Sequence, residues 1–295
     1  MLPEVVLEVA HRHSLSTSPV VLLRGLGSVN HVFCLGSGAE RYIVRIPIDP
    51  LRRDECEVEH WCLEQAAKHG IPSPGVVGRG DVSETPYIAL KYVEGSVADE
   101  RELTAWETLG RYGRLAHGFE WASGPDALFT RFGRDPDDAW RRHLLDNADQ
   151  LSGADPLIGL GVYPSPEQAR LRDIVSKLLD HDVTHGLRHG DLAPRNLLMR
   201  THGLPVLLDW GQASVGPVPH GDLLAAYRSH VLEGHPTTTQ LDVFSAALGE
   251  PLGRLQGVLK DLLVLEALDR VRWALDNRPD RVADLVIDAR ATLRM

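Results

Sequence analysis

Apolar and polar positions alternate over short stretches in the first part of the chain and fall into helical stripes afterwards, and this change of period sets the expected architecture. Val20 to Leu23 and His31 to Leu35 read as two strands of a hairpin joined through Arg24-Gly25-Leu26-Gly27-Ser28. Tyr42 to Ile46 reads as a third strand after the Gly36-Ser37-Gly38 turn. A helix is predicted from Leu51 to His69, opened by Pro50 and ended by Gly70 and Pro72. Tyr87 to Tyr92 is a further apolar strand, which Val93-Glu94-Gly95 breaks.

Beyond that break the pattern is helical. Helices are predicted over Thr104–Phe119, Pro136–Gln150, Pro166–Asp182, His220–Leu232, Thr237–Leu248, Leu252–Asn277 and Pro279–Leu293, with Leu171, Val175, Leu178 and Leu179 as one apolar stripe. Gly124-Pro125 and Ser152 to Pro166 are looser connections. The chain contains no internal repeat and no low-complexity tract. The pattern divides into a strand-rich lobe, 1–92, and a helical lobe, 93–295, each large enough to bury a core of its own.

Composition narrows the possibilities further. The apolar run Val20 to Leu23 is short and Leu262 to Leu268 is interrupted by Glu266, so no transmembrane span is expected. The opening Met-Leu-Pro-Glu-Val-Val-Leu-Glu carries acids where a signal peptide needs bases and an apolar core. Cys34, Cys56 and Cys62 are odd in number and lack a disulfide or zinc spacing, which suits a reducing cytoplasm. The net charge is -10, from 41 acids and 31 bases. From Val93 onward there are 30 acids and 22 bases, so the second lobe holds most of the excess. Such a surface disfavours nucleic acid as a partner and attracts a cationic substrate, although it equally serves solubility.

The densest chemistry lies at His189-Gly190-Asp191-Leu192-Ala193-Pro194-Arg195-Asn196, followed by Asp209 in Val-Leu-Leu-Asp-Trp. Metal-assisted phosphoryl transfer needs a group that orients or accepts the proton of an attacking hydroxyl, and oxygen ligands that hold Mg²⁺ against the phosphates. Asp191 suits the first role, and Asn196 and Asp209 the second. Leu204 to Leu208 is short and apolar and Gly203 permits a turn back from Leu197-Leu198-Met199, so two strands should deliver the acids to one mouth. His189 is expected to hold this loop by hydrogen bonding. The glycines before Asn30 could cover phosphates with backbone amides.

These motifs resemble the aminoglycoside phosphotransferase and choline kinase group of small-molecule kinases, which share the protein kinase fold. Protein kinases mostly carry Arg where Gly190 stands and Phe-Gly where Trp210-Gly211 stands. The resemblance implies an α+β, bilobal fold with a small β-rich N-lobe and a larger, mainly helical C-lobe, using ATP and Mg²⁺. It implies that Gly25, Gly27, Ser28 and Asn30, in Gly27-x-x-Asn30-x-x-Phe33, cover the phosphates. Arg45 stands where the family usually has Lys, with Glu55 as its helix partner and Glu59 in reserve. Backbone groups from Lys91 to Val93 would meet the adenine edge, with Leu90 behind it. Asp222 would brace the catalytic loop, and Arg195 would bring positive charge to the transferred phosphate. The acceptor expected first is an aminoglycoside or other amine-bearing alcohol; choline, a sugar or another antibiotic class comes next. The chain ends Ala-Thr-Leu-Arg-Met, without the acidic terminus some aminoglycoside kinases use. A protein kinase is disfavoured by the lack of an Ala-Pro-Glu segment, and a catalytically silent nucleotide binder by the intact acids.

Overall fold

The computed structural model describes residues 2–23, 29–49 and 52–295. Helix α1 (Leu2–Arg12) precedes strands β1 (Val20–Leu22), β2 (Asn30–Ser37) and β3 (Glu40–Pro47). Helix α2 (Glu55–Lys68) follows, then β4 (Val76–Val82) and β5 (Thr85–Lys91). The five strands form one antiparallel sheet in the order β1-β2-β3-β5-β4. Arg45 lies in the central strand, opposite Val32 on one side and Ile88 on the other.

The period of two decides what each face covers. Phe33, Leu35, Val44, Ile46, Tyr87 and Ala89 pack against Val5, Val6, Val9 and Ala10 of α1. Ile88 and Leu90 belong to a second core with Cys56, Cys62 and Leu63 of α2. Position 45 falls between two residues that face α1, so its side chain is directed to the α2 side.

The remaining chain is mainly helical. It contains β6 (Ser96–Val97), α3 (Leu103–His117), α4 (Pro136–Gln150), the short α5 (Pro156–Gly159), α6 (Gln168–Asp180) and β7 (Thr184–Arg188). Then come β8 (Leu197–Met199), β9 (Val206–Leu207), β10 (Ser214–Val218), α7 (His220–Glu233), α8 (Thr238–Leu248), α9 (Leu252–Asn277) and α10 (Val282–Leu293). The α2 core continues into Leu109, Leu223, Phe244 and Leu259 of α3, α7, α8 and α9. A separate core joins Leu144, Leu171, Leu268 and Val286 of α4, α6, α9 and α10. Two small sheets lie between: β6-β8-β9, and β7 paired with β10. No helix among the described residues is long and apolar enough to cross a membrane.

The α+β organisation matches the expectation, and α4 and α9 match it to the residue. Asp135 caps α4 by accepting from the Asp138 amide at 3.0 Å, with Pro136 at the first helical position. Helix α2 is a correction: it begins at Glu55 rather than Leu51. Helix α1 and strands β4 and β10 were not anticipated. Gly78 and Gly80 interrupt the alternation of β4, while Gly216-Pro217 disguises β10. Pro217 is tolerated because β10 has a neighbour on one side only.

Candidate active site

Strand β7 runs into the loop 189–196, which leads into β8; β9 then runs into Asp209, which leads into β10. Because β8 pairs with β9 and β7 with β10, both loops emerge at the same end of the strands. The Leu208 amide donates to the Asn196 carbonyl at 2.8 Å and joins them.

The first loop is held from below. His189 is fully buried, its Nε2 lies 3.0 Å from the Leu208 carbonyl, and its Nδ1 receives the Asp191 amide at 3.2 Å. Burial lowers its pKa, so the ring is neutral with the proton on Nε2. Asp222, also buried, accepts from the Gly190 amide at 2.9 Å and the His189 amide at 3.3 Å, and meets His117 Nε2 at 3.0 Å. Burial pushes the Asp222 carboxyl up, but the hydrogen bond and charge of His117, with the Gly190 amide, hold it below the ordinary carboxylate range. Gly190 has φ 83°, and any Cβ there would collide with the Gln212 carbonyl. Glycine at position 190 is thus required by the close approach of the two loops.

Asp191 is presented at the surface of this support. Its Oδ2 accepts from Asn196 Nδ2 at 2.7 Å, and its Oδ1 is ion-paired with Arg195. Asn196 Nδ2 also donates to the Asp191 carbonyl at 2.9 Å. Both amide hydrogens are used on Asp191, which leaves Asn196 Oδ1 as the free oxygen. The Arg195 side chain is 67% exposed, so it can swing towards a ligand without disturbing the core.

Asp209 adopts a left-handed backbone, φ 64°, at the start of a 3-10 turn, Trp210–Gln212. Arg45 reaches it: Nη2 donates to Asp209 Oδ1 at 2.6 Å while Nη1 donates to Glu59 Oε1 at 2.6 Å. Burial pushes the Asp209 carboxyl up, but Arg45 outweighs this and the net pKa is lowered. Glu59 is buried, and its carboxyl is pushed up to about 7 by burial, with Arg45 opposing. Trp210 is fully buried, stacked on Phe119 at 5.9 Å and tilted against His189 at 4.6 Å.

The partner of Arg45 is a correction, because Glu55 does not take this role. Glu59 sits within the inward stripe Cys56, Glu59, Cys62, Leu63 and Ala66, whereas Glu55 opens the helix. Glu55 instead pairs with Arg52 at 2.7 Å and receives Gln212 Nε2 at 2.5 Å. That link to Gln212, and the His117–Asp222 contact, carried no signal in the sequence. The inward stripe did carry one: Glu59 lies among cysteines and Leu63 at helical spacing.

Other anticipated residues are placed as follows. Gly25, Gly27 and Ser28 lie outside the described residues. Asn30 opens β2 opposite Pro47. The Lys91 amide is used by the Gly75 carbonyl at 2.7 Å and the Tyr92 amide by the Arg41 carbonyl at 3.0 Å, so neither N–H faces a pocket. Val93, next in the chain, has no backbone partner among the described residues.

The oxygens of Asn196 and Asp209 make a donor set of the kind Mg²⁺ accepts when phosphates supply the rest. Among the described residues no cluster of three or more His, Cys, Asp or Glu side chains could hold a metal ion by itself.

Comparison with solved structures places the same fold in antibiotic-modifying enzymes. The apoenzyme of macrolide 2'-phosphotransferase MphH from Brachybacterium faecium superposes with TM-score 0.66 at 18% identity, covering 96% of both chains. The GDP and kanamycin complex of APH(2")-IIia gives 0.67 at 16% identity over 98% of both. Spectinomycin phosphotransferase APH(9)-Ia, in complex with ADP and its antibiotic, gives 0.58 at 14% identity over 98% of both. No curated protein matches the chain. The model of the phosphotransferase enzyme family matches residues 21–257, most of the chain, and the protein belongs to that family.

Proposed function

We propose that the protein transfers the γ-phosphoryl group of ATP, with Mg²⁺, to a hydroxyl of a small molecule. The observation that carries this reading is the approach of Asp191 with Asn196, and Asp209 with Arg45, from two loops tied through Leu208 and Asn196. The acceptor oxygen forms a bond to the γ-phosphorus as the bond from that phosphorus to the β–γ bridging oxygen breaks, and ADP leaves with that electron pair. Asp191 orients the hydroxyl and takes its proton late, because the transition state is loose. Asn196 and Asp209 would hold Mg²⁺, which when bound neutralises phosphate charge. Arg45, fixed between Glu59 and Asp209, contributes positive charge to the phosphates in place of the usual Lys. Arg195 offers a second positive group beside the hydroxyl.

The remaining assignments have this frame. Gly25, Gly27, Ser28 and Asn30 cover the phosphates, and Val93 supplies the peptide group for the adenine edge. The chain works as two lobes, 1–92 and 93–295, with the nucleotide between. An amine-bearing acceptor draws support from the acidic second lobe, but each carboxylate next to the floor of β7 and β10 is already matched by a cation or His. This favours the alternative, an acceptor of another antibiotic or metabolite class.

The test is a panel of alcohols incubated with MgATP, scored by nucleotide consumption and by the mass of the phosphorylated product. Absence of a product with added phosphate mass across the panel, together with no MgATP binding, would overturn the assignment.

A further inference from the structure

Strands β7 and β10 form the floor of a cavity of about 280 Å³, walled by α4 on one side and α9 on the other. Most of the wall is apolar, including Phe129, Trp140, Val215, Leu224, Leu262 and Leu265. Yet four buried polar atoms among its lining residues have no hydrogen-bond partner: Trp140 Nε1, His185 Nε2, Arg188 Nε and Glu266 Oε2. Nine such side-chain atoms are found among the described residues, so nearly half gather at one place. Buried polar atoms are ordinarily satisfied, and a concentration of exceptions points to a ligand that supplies what the protein does not.

The charges define the ligand. Glu266 is held by Arg228 at 2.5 Å, and Asp269 by His143 at 3.0 Å and Asn147 at 2.9 Å. Both carboxylates thus have protein partners, while Glu266 Oε2 is left open. Arg188 makes no ion pair among the described residues: its Nη2 donates to Ser214 Oγ at 2.7 Å, and the charges of Asp222 and Glu266 act on it only through space. The His185 side chain is 6% exposed, with Nδ1 2.9 Å from Asp137. Nδ1 donates towards that carboxylate, and Nε2 is left without a partner.

Arg188 is placed here by construction. A Cβ on Gly221 would collide with its Cδ, and one on Gly216 would lie 2.9 Å from Nε, so two glycines clear the path of the guanidinium. Strand β7 ends at Arg188, and Asp191 lies three residues further on in the loop that follows.

We propose that this cavity seats the body of the phosphate acceptor, a compact apolar ring alcohol bearing a carbonyl or carboxylate oxygen that accepts from Arg188 and Trp140. The assignment rests on the phosphotransferase reading of Asp191 and narrows its substrate class. A donor on the ring meets Glu266 Oε2. An ammonium placed against Arg188 would meet a buried guanidinium, so the oxygen-bearing end of the ring lies there.

The experiment compares matched ring alcohols carrying a carboxylate, a ketone or an amine, alongside an aminoglycoside, with MgATP affinity measured separately. The expected result is a kcat/KM for the carboxylate or ketone member at least about tenfold above the amine, the size of one hydrogen bond to a charged group. Trp140→Phe keeps the ring and removes the N–H, and should raise the acceptor KM several-fold without changing MgATP affinity. Thr130→Trp, at the exposed edge of the cavity, should block the acceptor and spare the nucleotide. Preference for the amine or the aminoglycoside, no turnover of any oxygen-bearing member, or unchanged acceptor KM in both variants would each overturn the assignment. If MgATP does not bind and no member is phosphorylated, the phosphotransferase reading fails as well.

Discussion

Arg45, in the central strand of the N-terminal sheet, donates to Asp209 across 164 residues of chain at 2.6 Å, with its side chain only 14% exposed. Its other nitrogen holds Glu59, so one guanidinium fixes the helix α2 to the loop that carries the proposed metal ligand. Removing the cation leaves two carboxylates facing each other in a buried space.

Arg45→Met should therefore cost about 3–5 kcal/mol, the scale for an orphaned buried charge. Glu55→Gln should cost about 1 kcal/mol or less, because a glutamine Oε1 at this half-buried position still accepts from Arg52 and Gln212. Urea denaturation of the two variants checks the ranking. Equal losses would mean that Glu55 carries weight the geometry does not give it.

Asp209→Asn should lower turnover by about a hundredfold or more, as expected when a charge-stabilising group is lost. Asp191→Asn should lower kcat by about 10²–10⁴ while leaving nucleotide affinity close to wild type. Chelation of Mg²⁺ with EDTA should abolish transfer by the wild type. Steady-state kinetics and nucleotide titration separate these outcomes; a wild-type rate in Asp209→Asn would remove it from the site.

His220 supplies a pH dependence of stability. Burial, with His181 nearby, lowers its pKa from 6.5 to about 4. The unfolded chain binds a proton there below 6.5 and the folded chain resists it until about 4, so this contribution is complete above 6.5 and is lost as the pH falls through that window. The denaturation midpoint should drop across the window, and His220→Gln should flatten the drop. An unchanged slope in the variant would show that other groups set it.

Asp222→Asn should loosen the catalytic loop, since an amide can accept from fewer of the three donors and presents its own N–H to one of them. A loss of about 2–3 kcal/mol is expected for a buried, charge-assisted network. Faster hydrogen exchange at the Gly190 amide, measured by NMR, is the specific mark; unaltered protection there would mean that the loop is held elsewhere.

Much of this architecture was legible because some elements carry their own boundaries. Asp135-Pro136 and Pro251, with Pro279 beyond, bracket α4 and α9 in the sequence itself. Strands β4 and β10 do not, because their glycines and Pro217 erase the alternation that only tertiary pairing restores. Asp191, Asn196 and Asp209 could be singled out since their spacing is local. The choice of Glu55 over Glu59 went wrong because the resemblance outweighed the inward stripe of Cys56, Cys62 and Leu63, in which Glu59 lies. The cavity beside Arg188 was illegible because β7, β10, α4 and α9 meet only in space.

The indole of Trp210 has a bearing on control. Fully enclosed against Phe119 and His189, it follows Asp209 directly in the chain. A backbone rearrangement that carried Trp210 out along with Asp209 would expose about 150–250 Å² of aromatic surface at about 25 cal/mol per Å². That is about 4–6 kcal/mol, which leaves at most about one molecule in a thousand with both residues swung away. The burial of this indole thus weighs against any rearrangement that moves the backbone of the whole Asp209–Trp210 segment.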